Sequence, residues 1–194
     1  MKISIIIPLY NEQETICRVI NKLLALNYDE FIDDYEIIVI DDCSQDNSCS
    51  LIKDFIQEQP KIILHQHEKN QGKGAAVRTG ISLATGDVLL IQDADLELDP
   101  NDIPRMVKAM QELGVEFING SRYLSGIPRP LASFKRYLAN RLFTFLASIF
   151  INVKLTDLAC GYKLFHRNLI NKIRLRENRF GFEAELILKA LRIK

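Results

Sequence analysis

Short runs of β-branched residues alternate with amphipathic segments along the first 120 residues of the chain. The apolar residues of the amphipathic segments recur every three to four positions, which is typical of helices. Strand runs that alternate with helices in this way are typical of β-α-β units, in which crossover helices join parallel strands. The strand runs consist almost entirely of Ile, Val and Leu, as expected when helices cover both faces of a sheet. The sequence therefore predicts an α/β fold with a mainly parallel central sheet flanked by helices.

The pattern predicts the positions of five strands and five helices. The predicted strands are Ile3–Leu9, Glu36–Ile40, Lys61–His65, Asp87–Gln92 and Glu116–Asn119. The predicted helices are Glu12–Leu26, Ser48–Gln57, Gly74–Ala84, Ile103–Leu113 and Phe134–Ile151. The alternation ends near Ser121, and a turn region rich in Gly and Pro follows at Ser125–Pro130. A chain of 194 residues, of which 47% are hydrophobic, is expected to form a single domain around one core.

Charge is balanced over the whole chain but divided unevenly along it. The 25 Lys and Arg equal the 25 Asp and Glu in number, which excludes a protein held to nucleic acid by bulk positive charge. Residues 1–100 carry 8 Lys and Arg against 18 Asp and Glu, whereas residues 101–194 carry 17 against 7. The first half is suited to hold a cation, and the second is suited to face phosphates or an anionic membrane. Two solvated surfaces of opposite sign are the alternative.

The cysteines and the N-terminus indicate a reducing compartment. The chain has no CxxC pair and no histidines at zinc-finger spacing, which argues against a structural zinc site. The apolar run Ile3–Ile7 is interrupted at once by Pro8, unlike the core of a secretory signal. Reduced thiols in the cytoplasm are therefore expected. The cysteines are Cys17, Cys43, Cys49 and Cys160.

Several of the predicted strands end in polar residues. In open α/β sheets, ligands bind beyond the carboxyl ends of the strands, so residues at these positions are candidates for a binding site. They are Tyr10, Asn11 and Glu12 after the first strand, Asp41 and Asp42 after the second, and Asp93 and Asp95 after the fourth. Because parallel strands end at the same edge of the sheet, the sequence predicts a single site there.

Three carboxylates alternate just beyond the fourth strand, at Asp93, Asp95 and Glu97. If the chain stays extended, all three turn toward one side, and such a group of like charges is unfavourable unless a cation neutralises it. Ligands that are all oxygen suit Mg²⁺ or Mn²⁺. The alternative is a charged turn that leads into the next helix, because acidic residues are favourable at a helix N-terminus.

An acidic pair, Asp41 and Asp42, ends the second strand. A carboxylate in this position can accept hydrogen bonds from a nucleobase or from ribose hydroxyls. One of the two is free to cap the next helix instead, as are Ser44 and Asp46. We predict a ligand role for Asp42 rather than for Asp41.

The glycine-rich segment Gln71–Gly80 lacks both common phosphate-binding patterns. It contains no GxxxxGK[ST], and Val77 stands where the dinucleotide pattern requires a third glycine. This disfavours a P-loop NTPase and a Rossmann dehydrogenase. A helix N-terminus with Lys73 beside it is still suited to help hold a nucleotide.

The third predicted strand ends near two histidines, His65 and His67, which would share one strand face. Together with Glu68 they suggest part of a transition-metal site. No third ligand is evident in the nearby sequence, so we predict polar surface instead, and the same holds for His166.

The segment from Arg122 to Arg179 is strongly basic, with 12 Lys and Arg and only two acidic residues. One of these, Asp157, is isolated among cations and is a candidate to contact an acceptor or to act as a general base. A salt-bridge partner or an N-cap is the alternative role for it.

The predicted helix Phe134–Ile151 combines Lys135, Arg136 and Arg141 with many apolar residues. Its longest apolar stretch is far shorter than the roughly 20 residues that a membrane span needs. We predict a core helix. The alternative is an interfacial helix, with its aromatic side in the membrane and its basic side toward the headgroups.

Six motifs, taken in order along the chain, resemble those of the inverting GT-A glycosyltransferases. The subgroup that they resemble is the dolichyl- or polyprenyl-phosphate mannose and glucose synthases. The resemblance extends from about Ile3 to Leu191. The motifs are Ile5-Ile-Ile-Pro-Leu-Tyr-Asn-Glu12, Asp41-Asp42, Asn70-Gln-Gly-Lys-Gly74, Gln92-Asp-Ala-Asp-Leu-Glu97, Gly120-Ser-Arg-Tyr123 and the segment Asp157 to Phe165.

The resemblance implies a GT-A fold and roles for particular residues, with a nucleotide-binding half at residues 1–120 and an acceptor half at residues 121–194. Metal ligands are expected at Asp93, Asp95 and Glu97, and the catalytic candidates are Asp95, Asp157 and Arg122. The residues expected to bind the nucleotide-sugar are Pro8, Tyr10, Glu12, Ile40, Asp42, Lys73, Asp93 and Ala94. The residues expected near the acceptor and its phosphate are Arg122, Lys135, Arg136 and Arg141.

The activity implied by the resemblance is metal-dependent transfer of a hexose, with inversion, from UDP-glucose or GDP-mannose to a polyprenyl phosphate at the inner, cytoplasmic face of the membrane. A phosphate acceptor needs no general base. Transfer to a sugar hydroxyl of a polysaccharide is the alternative, and it needs a base such as Asp157. A nucleotidyltransferase and a non-catalytic sugar-nucleotide-binding subunit are the alternatives from other classes. Relatives continue with a strand and an Arg- and Lys-containing loop that closes over the donor, so we expect either a C-terminal truncation at Lys194 or the absence of this loop.

Overall fold

A six-stranded sheet forms the centre of the protein. It is seen in a computed structural model that describes residues 1–28, 31–124 and 133–193, so the turn predicted at Ser125–Pro130 lies outside the described residues. The strands are β1 (Lys2–Leu9), β2 (Asp34–Asp41), β3 (Ile62–Gln66), β4 (Val88–Ile91), β5 (Phe117–Asn119) and β6 (Lys163–His166). The helices are α1 (Ile16–Leu24), α2 (Ser48–Glu58), α3 (Lys73–Leu83), α4 (Ile103–Leu113), α5 (Phe134–Ile151), α6 (Arg167–Ile170) and α7 (Phe182–Ala190).

The first four strands form the parallel part of the sheet, as predicted. Strand β1 lies between β2 and β4 and is parallel to both, and β2 also pairs in parallel with β3. The full strand order is β3-β2-β1-β4-β6-β5. The carboxyl ends of β1, β2 and β4 therefore meet at one edge, which is the arrangement that the polar residues after these strands require.

Strand β6 was not predicted, and it lies antiparallel between β4 and β5. Leu90 of β4 pairs with Leu164, and Ile118 of β5 pairs with the same residue from the other side. The strand begins with a fully buried lysine, Lys163, whose ammonium group donates a hydrogen bond to the carbonyl of Cys160. Burial lowers the pKa of Lys163. A strand of four residues that starts with a charged side chain carries little sequence signal.

Helices cover both faces of the sheet, as the continuous apolar strands predict. On one face, β1 residues such as Ile5 and Ile7 pack in a cluster with α1 and α4. On the other face, Ile6 and Ile38 pack in a second cluster with α3 and α7. Each fully buried side chain of this size stabilises the fold by about 2 kcal/mol relative to an exposed one.

The ends of the helices follow local signals. The bounds of α4 and α5 are as predicted, and α4 ends at Gly114, which adopts φ of 59°. The side chain of Ser133 caps the N-terminus of α5 by accepting a hydrogen bond from the backbone N–H of Arg136. Helix α1 begins four residues later than predicted, because Glu12 and the residues after it form turns instead.

Helix α5 is not the core helix that the sequence predicts, because its apolar residues face outward. Thr144 is its only buried residue. Among the residues that the structure describes, no helix is both long and apolar enough to cross a membrane. Eight large apolar side chains of α5 are more than half exposed: Phe134, Leu138, Leu142, Phe143, Phe145, Leu146, Ile149 and Phe150.

Candidate active site

A cavity of about 420 Å³ opens at the carboxyl ends of β1, β2 and β4. Every residue predicted to bind a nucleotide-sugar lines it except Ile40, which is fully buried in the sheet. The predicted residues that line it are Pro8, Tyr10, Glu12, Asp42, Lys73, Asp93, Ala94 and Asp95. Arg179 and Phe180 also line the cavity and were not predicted. The sequence offered one signal for them, because the aromatic Phe180 directly follows a segment rich in basic residues.

Asp93 and Asp95 bring two carboxylates to the cavity from the turn after β4. Burial raises the pKa of Asp95, and the charges of Asp93 and Glu97 raise it further. Burial likewise raises the pKa of Glu12, with contributions from the charges of Asp95 and Asp93. The cavity therefore concentrates negative charge from oxygen ligands, and these are the donors that Mg²⁺ and Mn²⁺ prefer.

Glu97 does not join this pair, because the chain turns instead of staying extended. Leu96 adopts φ of 61°, and the backbone N–H of Glu97 donates to Oδ1 of Asp95 over 2.9 Å. The Glu97 carboxylate points to Arg122, whose Nη1 lies 2.9 Å away. Within the described ranges, no group of three or more His, Cys, Asp or Glu residues is arranged to hold a metal ion. The structure thus brings two of the three predicted ligands to the cavity, and a bound metal would need further ligands from the donor or from water.

Lys73 lies at the N-terminus of α3 and points into the acidic end of the cavity. Its Nζ lies 2.8 Å from Oδ1 of Asp93 and 2.8 Å from Oε1 of Glu183. Burial acts to lower the pKa of Lys73, but the two carboxylates outweigh it and raise the pKa, so the side chain stays protonated. Glu183 was missed because an acidic residue in the first turn of a helix such as α7 is ordinary.

Asp42 holds the glycine-rich loop against the end of β2. Its carboxylate accepts hydrogen bonds from the backbone N–H groups of Gln71 (2.9 Å) and Gly72 (2.7 Å). Nδ1 of His67 lies 2.7 Å from Oδ1 of the same carboxylate. Asp41 lies outside the cavity and accepts from the backbone of Ser44. Asp42 rather than Asp41 therefore faces the cavity.

His67 is a buried partner of Asp42, so the prediction of polar surface is wrong for it. Its side chain is 4% exposed, and Nε2 lies 2.9 Å from Oγ1 of Thr79 on α3. The neighbouring His65 is exposed, as predicted. The imidazole of His67 thereby ties the end of β2 to α3 beneath the cavity.

The partly buried Arg122 and the fully buried Asp157 form a bidentate ion pair. Nε of Arg122 donates to Oδ2 of Asp157 over 2.8 Å, and Nη2 donates to Oδ1 over 3.1 Å. The Arg122 backbone N–H and the side chain of Asn140 also donate to this carboxylate. Burial alone would raise the pKa of Asp157, but these hydrogen bonds outweigh it and hold the pKa below its usual value. Both oxygens are thus fully engaged, which matches the salt-bridge alternative and leaves no free lone pair for a general base.

The three cations predicted near the acceptor are exposed on α5 and do not line the cavity. They are Lys135, Arg136 and Arg141. Arg122 is joined to the cavity through Glu97, which contacts both Arg122 and Asp95. The structure therefore brings a guanidinium group close to the acidic turn and leaves the α5 cations on the outer surface.

Comparison with known proteins gives the family and the fold. Residues 4–174 match the family model of glycosyl transferase family 2. An undecaprenyl-phosphate 4-deoxy-4-formamido-L-arabinose transferase of Pseudomonas fluorescens is 31% identical over 170 residues, which are 87% of this chain and 48% of the relative. A dolichol-phosphate mannosyltransferase of Pyrococcus furiosus is 30% identical over 196 residues, with 97% of this chain and 53% of the relative covered. The chain thus spans about half the length of these relatives.

Solved structures with similar folds include two that hold a uridine nucleotide. Glucosyl-3-phosphoglycerate synthase from Mycobacterium tuberculosis, in complex with Mn²⁺, UDP and glucosyl-3-phosphoglycerate, superimposes with a TM-score of 0.72 at 22% identity, covering 96% of this chain and 63% of that one. TarS residues 1–349 of S. aureus, in complex with UDP-GlcNAc, gives a TM-score of 0.68 at 22% identity, covering 98% and 53%. At this identity the likeness establishes the GT-A fold that the sequence predicts.

Proposed function

Because the chain belongs to glycosyl transferase family 2, we propose that it transfers a hexose from UDP-glucose or GDP-mannose to a polyprenyl phosphate, with inversion at the anomeric carbon. The observation that carries this proposal is the acid-lined cavity joined to Arg122 through Glu97. The cavity offers a site for a nucleotide-diphospho-sugar, and Arg122 offers a cation for a phosphate beside it. Membership of this family supports a transferase over the nucleotidyltransferase and the non-catalytic subunit.

The donor diphosphate carries negative charge into a cavity that is already acidic, so a divalent cation is part of the proposal. Asp93 and Asp95 would hold Mg²⁺ or Mn²⁺ through their carboxylate oxygens. Held there, such an ion would supply positive charge to neutralise the diphosphate and stabilise it as a leaving group. The Mycobacterium tuberculosis structure holds Mn²⁺ together with UDP, which supports this part of the proposal.

The acceptor is proposed to be a lipid phosphate, because both curated relatives are named for transfer to such lipids. An acceptor phosphate oxygen attacks the anomeric carbon, the bond from that carbon to the diphosphate breaks, and the nucleoside diphosphate leaves. A phosphate is already anionic near neutral pH, so no proton has to be removed. The fully engaged carboxylate of Asp157 supports this acceptor over a sugar hydroxyl, which would require a base.

We further propose that the protein works at the inner, cytoplasmic face of the membrane, with α5 in contact with the lipid. Amphipathic helices of this kind lie in the interface with apolar residues in the lipid and cations near the headgroups. The outward apolar residues of α5, together with its exposed Lys135, Arg136 and Arg141, have this composition. The overall balance of charge gives no reason to expect nucleic acid as a partner.

Calorimetric titration tests the donor site. The protein is titrated with UDP-glucose and with GDP-mannose, each with and without Mn²⁺. We expect metal-dependent binding of one of the two donors, with loss of binding in Asp95→Asn and no loss in Asp54→Asn, an exposed carboxylate on α2. Binding of neither donor, or equal binding by Asp95→Asn, would overturn the donor site.

Two further measurements test the acceptor and the membrane surface. Incubation of donor with farnesyl phosphate should yield a glycosyl phosphate ester, and a glycoside formed only on sugar hydroxyls would support the alternative acceptor.

Sedimentation with anionic vesicles should pull down the wild type and less of Phe143→Ser on α5. The control is Leu113→Ser, which changes a similarly exposed apolar side chain at the end of α4. Equal sedimentation of both variants would contradict a lipid contact through α5.

A further inference from the structure

Helix α5 is attached to the rest of the protein by a polar stripe of three residues, Asn140, Thr144 and Ser148. Their spacing of four residues puts them on one face of the helix. Each side chain oxygen accepts a hydrogen bond from the backbone of the segment at residues 155–159. Leu155 N donates to Ser148 Oγ (3.1 Å), Leu158 N to Thr144 Oγ1 (3.0 Å) and Ala159 N to Asn140 Oδ1 (3.3 Å).

This stripe is the inward side of a helix whose large apolar residues point outward. Thr144 is 3% exposed, whereas Phe143 and Phe145 on either side of it are 60% and 62% exposed. The contact between α5 and the 155–159 segment is therefore specified by directional hydrogen bonds and not by apolar packing alone. A directional contact fixes the orientation of the groups that it joins.

Asn140 differs from the other two residues of the stripe, because it also bonds the functional ion pair. Its Nδ2 donates to Oδ1 of Asp157 over 2.8 Å, and the same oxygen accepts from Nη2 of Arg122. Asp157 is fully buried. The orientation of a buried carboxylate depends on the groups that donate hydrogen bonds to it. Asn140 therefore contributes to the orientation of Asp157 and, through it, of the Arg122 guanidinium.

We propose that Asn140 is a positioning residue, which orients Arg122 through Asp157 for the phosphate of the lipid acceptor. This inference deepens the proposed function and rests on it. It makes α5 the element that joins the lipid-facing surface to the phosphate-binding arginine, since one helix carries both the outward apolar residues and Asn140.

The test compares Asn140→Ala with Ser148→Ala, which removes another hydrogen bond of the same stripe but has no contact with Asp157. We expect the KM for farnesyl phosphate to rise about tenfold in Asn140→Ala, the size expected for a hydrogen bond to a charged group. The donor affinity and kcat should change less than about threefold. Ser148→Ala should change neither the KM for farnesyl phosphate nor the donor affinity. Equal effects of the two variants, or a parallel loss of donor and acceptor affinity, would overturn the inference.

A second readout does not depend on turnover. The Nε–H of Arg122, which donates to Asp157, gives a separate NMR signal that Arg122→Lys identifies. Its protection against solvent exchange should fall in Asn140→Ala and persist in Ser148→Ala. If the signal is unchanged in Asn140→Ala, the positioning role is refuted. If it changes as expected but the wild type neither binds nor glycosylates farnesyl phosphate, the positioning role stands and the proposed acceptor fails.

A variant of nearly the same volume covers the case in which Asn140→Ala does not fold. Asn140→Leu fills the same space with a residue that favours helix, removes the donor to Asp157 and places no second carboxyl group beside it. It is expected to reproduce the tenfold rise in KM and the loss of Nε–H protection. Wild-type values for both would refute the inference.

Discussion

The ammonium group of Lys73 lies 2.8 Å from Oδ1 of Asp93, so the chain supplies its own cation to one of the two carboxylates proposed to hold a metal ion. Glu183 contacts the same ammonium group from α7. Asp93 and Lys73 thus neutralise each other in the absence of ligand. Binding of a divalent ion to Asp93 would compete with this ion pair and leave Lys73 held by Glu183 at the cavity wall, where its ammonium group could contact the donor diphosphate.

Replacement of Lys73 should separate metal binding from donor binding. Lys73→Gln removes the competing cation, so we expect Mn²⁺ alone to bind about fivefold more tightly, since a positive charge near the ion is lost. The donor in the presence of Mn²⁺ should bind about tenfold more weakly, since a charged hydrogen-bond donor is lost. Calorimetry measures both. The control is Lys69→Gln, the same change on an exposed residue of the preceding loop. An unchanged or lower Mn²⁺ affinity in Lys73→Gln would contradict competition between Lys73 and the metal ion for Asp93.

Replacement of His67 should loosen the loop that Asp42 holds. His67→Leu removes one partner of a buried carboxylate, and we expect it to lower the free energy of unfolding by about 2 kcal/mol. Donor affinity should fall as well, because Asp42 fixes Gln71 and Gly72 at the cavity. Urea unfolding and calorimetry measure the two effects. His65→Leu, two residues away and exposed, should change stability by less than about 0.5 kcal/mol, and an equal effect of both changes would argue against the buried contact.

The ion pair of Arg122 and Asp157 should make stability depend on pH. The folded-state pKa of Asp157 is lowered, so its contribution is present above the unfolded pKa of about 4 and is lost as the pH falls through the folded-state value. Asp157→Asn should therefore cost about 2 kcal/mol at pH 7, because the partly buried Arg122 loses its bidentate carboxylate partner and keeps only Glu97. The difference from wild type should narrow as the pH falls below about 4. Unfolding curves across this range test the sign, and a constant difference would show that the charge is not responsible.

A methyl group at Gly161 should displace Asp93. A Cβ built on Gly161 overlaps Oδ2 of Asp93 and contacts its carboxyl carbon. We expect Gly161→Ala to fold and to lose about 10- to 100-fold in metal-dependent donor affinity, the effect of moving a ligand group by about 1 Å. Gly181→Ala is the control, because its nearest neighbour is the flexible carboxylate end of Glu177 at 3.2 Å. Calorimetry and thermal unfolding together distinguish a displaced ligand from a misfolded protein.

Much of the fold is predictable from local patterns. The first five strands and the bounds of α4 and α5 follow from apolar periodicity and from end signals such as Ser133 and Gly114. Strand β6 was missed because its pairing is not local. His166 pairs with Val88, far away in the sequence, and neither propensity nor periodicity within four residues records such a partner.

The candidate site was predictable only in part, for a related reason. Residues that directly follow strands, such as Asp42 and Asp93, could be assigned because parallel strands end at one edge. His67, the partner of Asp42, was predicted to be polar surface, whereas Glu183 and Asn140, which contact Lys73 and Asp157, come from other elements and carried no signal. The outward turn of Glu97 depends on the left-handed conformation of Leu96, which is uncommon for a non-glycine residue and is not predicted by an alternating pattern.

The position of β6 between β4 and β5 also affects how the chain folds during its synthesis. During synthesis, the outer edge of β4 has no partner until the ribosome has released the chain to His166, about 75 residues later. An unpaired edge of Val and Leu residues is a template for pairing with other chains. A nascent or proteolysed fragment that stops near residue 120 would therefore be prone to aggregate, and expression trials of shortened versions should retain the residues through β6.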